Sequence, residues 1–122
     1  RDWRYGLDHC AALDLVRRRG RDGEIYNVGA GNELDNLTLT REILRLTGRP
    51  ESLIRFVKDR PGHDRRYALD AAKVRALGWA PRWEFGAALA ETVRWYREHE
   101  AWWRPLKAGE FRAWYAQQYG AR

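Results

Sequence analysis

The sequence predicts an α/β fold, a small mixed domain of few short strands and about five helices. Three observations carry this. Apolar residues recur at helical spacing in several separate stretches, bounded by capping residues, glycine or proline. Short β-branched and aromatic runs alternate with them through the first half. No internal repeat and no low-complexity linker divides the 122 residues, so the chain reads as one domain, 1–122.

The elements follow in order. Trp3 to Tyr5 reads as a strand end. Asp8 is the predicted N-cap of a helix carrying Ala11, Ala12, Leu13, Leu15 and Val16. Arg17, Arg18 and Arg19 complement the dipole of its last turn, Gly20 suits the position after it, and Arg21-Asp22-Gly23 makes a turn. Glu24 to Val28 has strand composition. The loop Gly29-Ala30-Gly31-Asn32 begins like a dinucleotide fingerprint, but Leu34 stands where the third glycine belongs, so it reads as a strand-ending loop. Asn36 is the predicted N-cap of a helix from Leu37 to Leu46, with Leu39, Ile43 and Leu46 on one face and Gly48 and Pro50 closing it. Leu53 to Val57 is the third strand-like run.

After it comes Asp59-Arg60-Pro61-Gly62-His63-Asp64-Arg65-Arg66-Tyr67-Ala68-Leu69-Asp70, rich in hydrogen-bonding groups. Pro61 fixes its own φ and Gly62 tolerates a positive one, so the pair predicts a turn. A stiff turn presenting Arg60, His63, Arg65 and Arg66 suits an anionic ligand, because guanidinium engages phosphate oxygens in pairs. The plain alternative is a solvated basic loop. Asp70 caps a short helix from Ala71 to Leu77, Gly78 ends it and Trp79 packs beyond. Phe85, Leu89, Val93 and Tyr96 form the apolar stripe of a helix over Glu84 to His99, whose N-cap position, Trp83, lacks a capping oxygen. Pro105 breaks the chain before a last helix from Gly109 to Tyr119, with Phe111, Trp114, Tyr115 and Gln118 on one side. The aromatic tail suits packing or, with its arginines, stacking on bases; helical spacing favours packing. Trp102 and Trp103 are adjacent and cannot both face one core, so one of them is expected to cover a partner domain or subunit.

The net charge of +6 comes from 23 basic and 17 acidic residues, and lysine occurs only at Lys58, Lys73 and Lys107. Such a charge favours phosphates or polyanions. No apolar run reaches spanning length, so no membrane partner is expected. A lone cysteine, Cys10, excludes an internal disulfide and fits a reducing, cytoplasmic setting. His9, Cys10, His63 and His99 lack metal-ligand spacing.

The run from Asp59 to Asp70 resembles the segment near the C-terminus of dTDP-glucose 4,6-dehydratases, extended short-chain dehydrogenase/reductases that act on nucleotide sugars. Arg1-Asp-Trp-Arg-Tyr5 with Asp8-His9, Glu24 to Gly29 with Asn32-Glu33, and Leu77-Gly-Trp79 fit the same family. The resemblance covers essentially the whole chain and maps it to the C-terminal third of such an enzyme. Gly6 and Leu7 depart from it, where family members often carry a β-branched residue and an acid.

The resemblance implies a lyase of deoxysugar biosynthesis, such as the rhamnose route. It converts dTDP-glucose to dTDP-4-keto-6-deoxyglucose by NAD-assisted oxidation at C4, loss of water across C5–C6 and return of the hydride to C6. It also implies a Tyr-x-x-x-Lys pair and a Thr-Asp-Glu set on an N-terminal Rossmann domain. That pair is not in this chain: Ile54, Leu69 and Trp103 stand four residues before the three lysines. No catalytic, NAD-binding or metal residue is therefore assigned, and the chain alone is expected to be inactive. By resemblance, Arg1, Asn36, Asp59, Arg60, Pro61, Gly62 and His63 bind dTDP-glucose around its diphosphate, and the complete enzyme is expected to be a homodimer. On chemistry alone, Asp59 accepts from a ribose hydroxyl or holds Arg60 and Arg66, and Asn36 divides between ligand and cap. A related epimerase or decarboxylase is the near alternative, and a free-standing basic nucleic-acid-binding module the distant one.

Overall fold

Residues 1–59, 61–107 and 109–119 are described by a computed structural model. Their regular structure is helical: α1 (Gly6–Arg19), α2 (Asn36–Thr47), α3 (Ala72–Ala76), α4 (Phe85–Glu98), α5 (Glu100–Trp103) and α6 (Glu110–Tyr119), with short 3₁₀ turns at Glu51–Leu53 and Pro105–Lys107. The four long helices lie where the apolar spacing predicts them. Arg60 and the side chain of Gln118 lie outside the described residues and side chains.

The three predicted strands do not form among the described residues. Trp3 to Tyr5 and Glu24 to Val28 belong to no ladder, and the one bridge is isolated, joining Asp2 to Glu33. Leu53 lies in a 3₁₀ turn, and Ile25 and Phe56 are 80% and 85% exposed. The reason is that strand composition records fitness for a pleated, half-buried surface. A run with that composition still needs a neighbour to pair with, and none of the described segments supplies one.

Ala12 of α1, Val28, Ala71, Val74 of α3 and Trp79 form the core, with Leu15, Val16 and Tyr26 against it. Tyr26 closes one side. Its hydroxyl accepts from the Arg21 N–H at 3.0 Å, and the Lys73 ammonium, paired with Glu24, lies 4.8 Å over its ring. The amphipathic helices α2 and α4 pack on each other, and Arg97 of α4 donates to the Leu46 carbonyl at the end of α2, at 3.0 Å. Past α4, Trp102 is largely exposed while Trp103 turns back, donating from Nε1 to the Tyr96 carbonyl at 2.7 Å.

Four helix starts differ from the sequence prediction. Asp8 does not cap α1. It sits inside the first turn, only 4% exposed, and its carboxylate accepts from the backbone N–H of Arg82 at 3.0 Å and of Trp83 at 3.3 Å. The Trp79 indole donates to the Asp8 carbonyl at 3.1 Å. A buried carboxylate needs donors, and the chain entering α4 provides them. At α2 the cap is Asp35, which accepts from the Thr38 N–H at 2.8 Å and hydroxyl at 2.7 Å, so Asn36 is the first helical residue. At α4 the cap is Glu84, one residue after Trp83, accepting from the Ala87 N–H at 3.0 Å. At α3 the N-cap position is Ala71, which lends no side-chain oxygen, and Asp70, one residue before it, accepts from the Ala72 N–H at 2.8 Å.

Two outcomes are expected. Asp8→Ala strands two N–H groups and lowers stability by about 2–3 kcal/mol, read as a lower urea midpoint at unchanged slope. Burial, aided by the nearby Arg4 charge, holds His9 below its ordinary value of 6.5. The folded state therefore prefers the neutral ring. Stability is full above pH 6.5 and falls as pH drops toward the depressed folded value. A His9→Gln variant should show a shallower loss in urea titrations across that window.

Candidate nucleotide-sugar site

The N-terminal segment is fastened to the loop before α2. Trp3 N–H donates to the Asn32 carbonyl and Leu34 N–H to the Arg1 carbonyl, both at 3.0 Å, and the Trp3 indole donates to the Leu34 carbonyl at 3.1 Å. The Asp2 carboxylate accepts from the N–H groups of Gly31 at 2.9 Å and Asn32 at 3.0 Å. This settles what the glycine pair does. A dinucleotide pyrophosphate would need those N–H donors, and Asp2 occupies them. Gly29 must be small for the same reason, since a Cβ there would lie 2.5 Å from an Asp2 oxygen and 3.2 Å from the Leu69 carbonyl oxygen. The loop does not fit NAD.

With the segment held, Arg1 faces a cleft of about 450 Å³ lined by Asp2, Trp3, Arg4, Asn36, His63, Tyr67 and Leu69 as well. The Arg1 guanidinium lies 4.3 Å over the Tyr67 ring and donates to His63 Nε2 at 2.6 Å. Arginine has no acceptor, so Nε2 carries the lone pair and the ring proton sits on Nδ1. That proton points to Asp59, whose oxygen lies 2.6 Å from Nδ1. Tyr67 donates in turn to Asp64, and Arg66 pairs with Glu33 at 2.6 Å across the loop. Glu33 therefore holds Arg66, and among the described contacts Asp59 holds His63.

Of the residues named from the sequence, Arg1, Asn36 and His63 line one cleft, and Asp59 supports it through His63. Pro61 and Gly62 form the expected turn, with Gly62 at φ 67°, exposed at the loop's tip. Arg60 lies outside the described residues. Tyr67 was missed as a site residue. Its signal was available: an aromatic residue within an arginine-rich run is a natural guanidinium platform. A second, larger cleft of about 780 Å³, lined by Leu7, Leu39, Trp83, Phe85, Leu89 and Trp95 among others, is apolar.

These features have counterparts in known proteins. The family model described as GDP-mannose 4,6 dehydratase matches residues 1–92, and the chain belongs to that family. A dTDP-glucose 4,6-dehydratase from Streptomyces niveus is 50% identical over 109 residues, covering 88% of this chain and 32% of its own length. The low-salt glycan biosynthesis protein Agl12 of Haloferax volcanii is 53% identical over 96 residues, covering 79% of this chain and 31% of its own. The crystal structure of DesIV, a dTDP-glucose 4,6-dehydratase from Streptomyces venezuelae solved with NAD bound, superposes with a TM-score of 0.83 at 50% identity, over 88% of this chain and 34% of that one. The chain thus spans about a third of the length of these relatives.

Gly29→Ala is expected to push Asp2 and the Leu69 backbone apart. Overpacking of this kind costs about 1–3 kcal/mol in urea unfolding. Combined with Asp2→Ala the loss should be smaller than the sum of the two single changes, because the nearest clash is removed.

Proposed function

We propose that this chain is the nucleotide-sugar-binding part of a dTDP-glucose 4,6-dehydratase. In this reading residues 1–122 are one domain, the C-terminal part of an enzyme about three times as long, as the relatives are. The observation that carries it is the cleft in which Arg1 is stacked, bonded and aimed beside Asn36 and His63. Asn36 is exposed, and the capping of α2 falls to Asp35, so its amide is left for a ligand. A diphosphate presents several anionic oxygens, and guanidinium and amide N–H groups are the donors it needs. Arg60, Pro61 and Gly62 are proposed to contact it as well, as the family resemblance implies.

The complete enzyme converts dTDP-glucose to dTDP-4-keto-6-deoxyglucose with NAD, in the cytoplasm and as a homodimer. This chain contributes binding and orientation of the substrate and no catalytic group, so alone it is inactive. Among the described residues no helix is long and apolar enough to cross a membrane. A related epimerase or decarboxylase would use the same cleft. The nucleic-acid reading is weaker, because many arginines are engaged by neighbouring acids, as in Arg17 and Arg18 with Asp14, Arg45 with Glu42 and Arg94 with Glu91.

Calorimetry on the purified chain tests this. Saturable binding of dTDP-glucose, tighter than UDP-glucose, is expected. Arg1→Ala should weaken it about 10- to 100-fold, the equivalent of one charge-assisted contact, without altering the far-ultraviolet dichroism. Absence of saturable binding, or binding of oligonucleotides that falls steeply with salt whatever the sugar nucleotide present, would overturn it.

A further inference from the structure

We propose that His63 is a proton-accepting placeholder. It holds Arg1 while the cleft is empty, and takes up a proton when the diphosphate of a sugar nucleotide displaces it. This rests on the reading of the cleft given above and adds a step to it.

The argument starts from the donor count. One Arg1 terminal nitrogen is bonded to His63 Nε2 at 2.6 Å, and the ring's other nitrogen, at 2.6 Å from Asp59, carries the proton. Both sides of the imidazole are therefore specified, and the ring is neutral. His63 takes one of the guanidinium's five N–H donors; in the proposed exchange an anionic diphosphate oxygen, a stronger acceptor than a neutral imidazole nitrogen, takes that one. Arg1 need not travel far to make the exchange, because Tyr67 supports its flat face at 4.3 Å and Asp64 holds the Tyr67 hydroxyl.

The exchange leaves the His63 lone pair facing an anionic oxygen, with two acceptors and no proton between them. Binding one proton from solvent at Nε2 removes the conflict. It turns the contact into a charge-assisted N–H donation, and Asp59 remains at Nδ1 to stabilise the cation. No covalent bond changes. The charged groups around the ring are consistent with this. Asp59 lies on its own loop, and Arg1 lies on the segment before α1. Asp2 and Arg4 line the same cleft, while Arg66 is already matched by Glu33. One oxygen of Asp2 is itself engaged by two backbone donors.

The test is calorimetry of dTDP-glucose binding at pH 7 in three buffers of different ionisation enthalpy. The sugar diphosphate is doubly esterified and has no proton to exchange near neutrality, unlike a terminal phosphate, whose second pKa is about 6. Net proton uptake is expected, with affinity rising as pH falls from 8 to 6 by up to about tenfold per unit. His63→Gln still accepts from Arg1 but cannot titrate. It should bind with buffer-independent enthalpy and a flat pH profile. Buffer-independent enthalpy in the unmodified chain, or undiminished uptake in a folded His63→Gln variant, would overturn the proposal and leave the cleft's function intact. Absence of any dTDP-glucose binding by the unmodified chain would overturn both.

Discussion

The carboxylate of Asp8 is the constraint on which the arrangement of helices depends. It lies in the first turn of α1, where an acid usually serves its own helix, yet it is spent on two backbone N–H groups more than seventy residues along the chain. With the Trp79 indole bonded to the carbonyl of the same residue, one amino acid joins α1, the turn after α3 and the approach to α4. The apolar core beneath is small, built from alanine and valine around one tryptophan. Apolar contact of that extent is non-directional, and it would tolerate α1 rotating or sliding. Directional bonds to a nearly inaccessible carboxylate do not, so the register of α1 follows from Asp8.

The cleft is built on a similar plan, with Asp2 in the corresponding part. By gathering the N–H groups of Gly31 and Asn32, it fixes the segment that carries Arg1 against the entry to α2. Everything the cleft presents then follows from short local geometry: Arg1 from one side, Asn36 from the first turn of α2, His63 and Tyr67 from the loop opposite. Acidic residues set the positions and basic ones face the opening. The loop's Arg66–Glu33 pair is exposed and contributes little to stability, but it keeps that guanidinium from competing for the same ligand.

Local patterns were legible in the sequence and distant pairings were not. The periodicity of Leu39, Ile43 and Leu46, and of Phe85, Leu89 and Val93, placed α2 and α4 within a residue or two, because a helix is closed by bonds to its own neighbours. The caps erred by one position at Asp35 and Glu84: aspartate and asparagine next to a helix start are equivalent until the backbone turns, and Glu84 was counted as the first helical residue, which left Trp83 as the cap. Strand composition at Glu24 to Val28 and Leu53 to Val57 misled, because pairing depends on a second segment that composition does not contain. The same limit hid Asp8. In the site, the run around Pro61-Gly62 marked the right loop. Tyr67 escaped because its role appears only once Arg1, far away in sequence, lies over its ring.

The neighbours Asp35 and Asn36 divide their labour: the first caps α2, and the second is exposed to the cleft. Substitutions at the two should act independently, one on folding and the other on recognition, so this corner can diversify its specificity without losing its helix. The Arg1–His63–Asp59 chain has the opposite character. Each member's state is set by the next, and a change at one alters what is tolerated at the others. Such positions drift together or not at all, and a lineage that moved to a different anionic ligand would more readily do so through Asn36 than through His63.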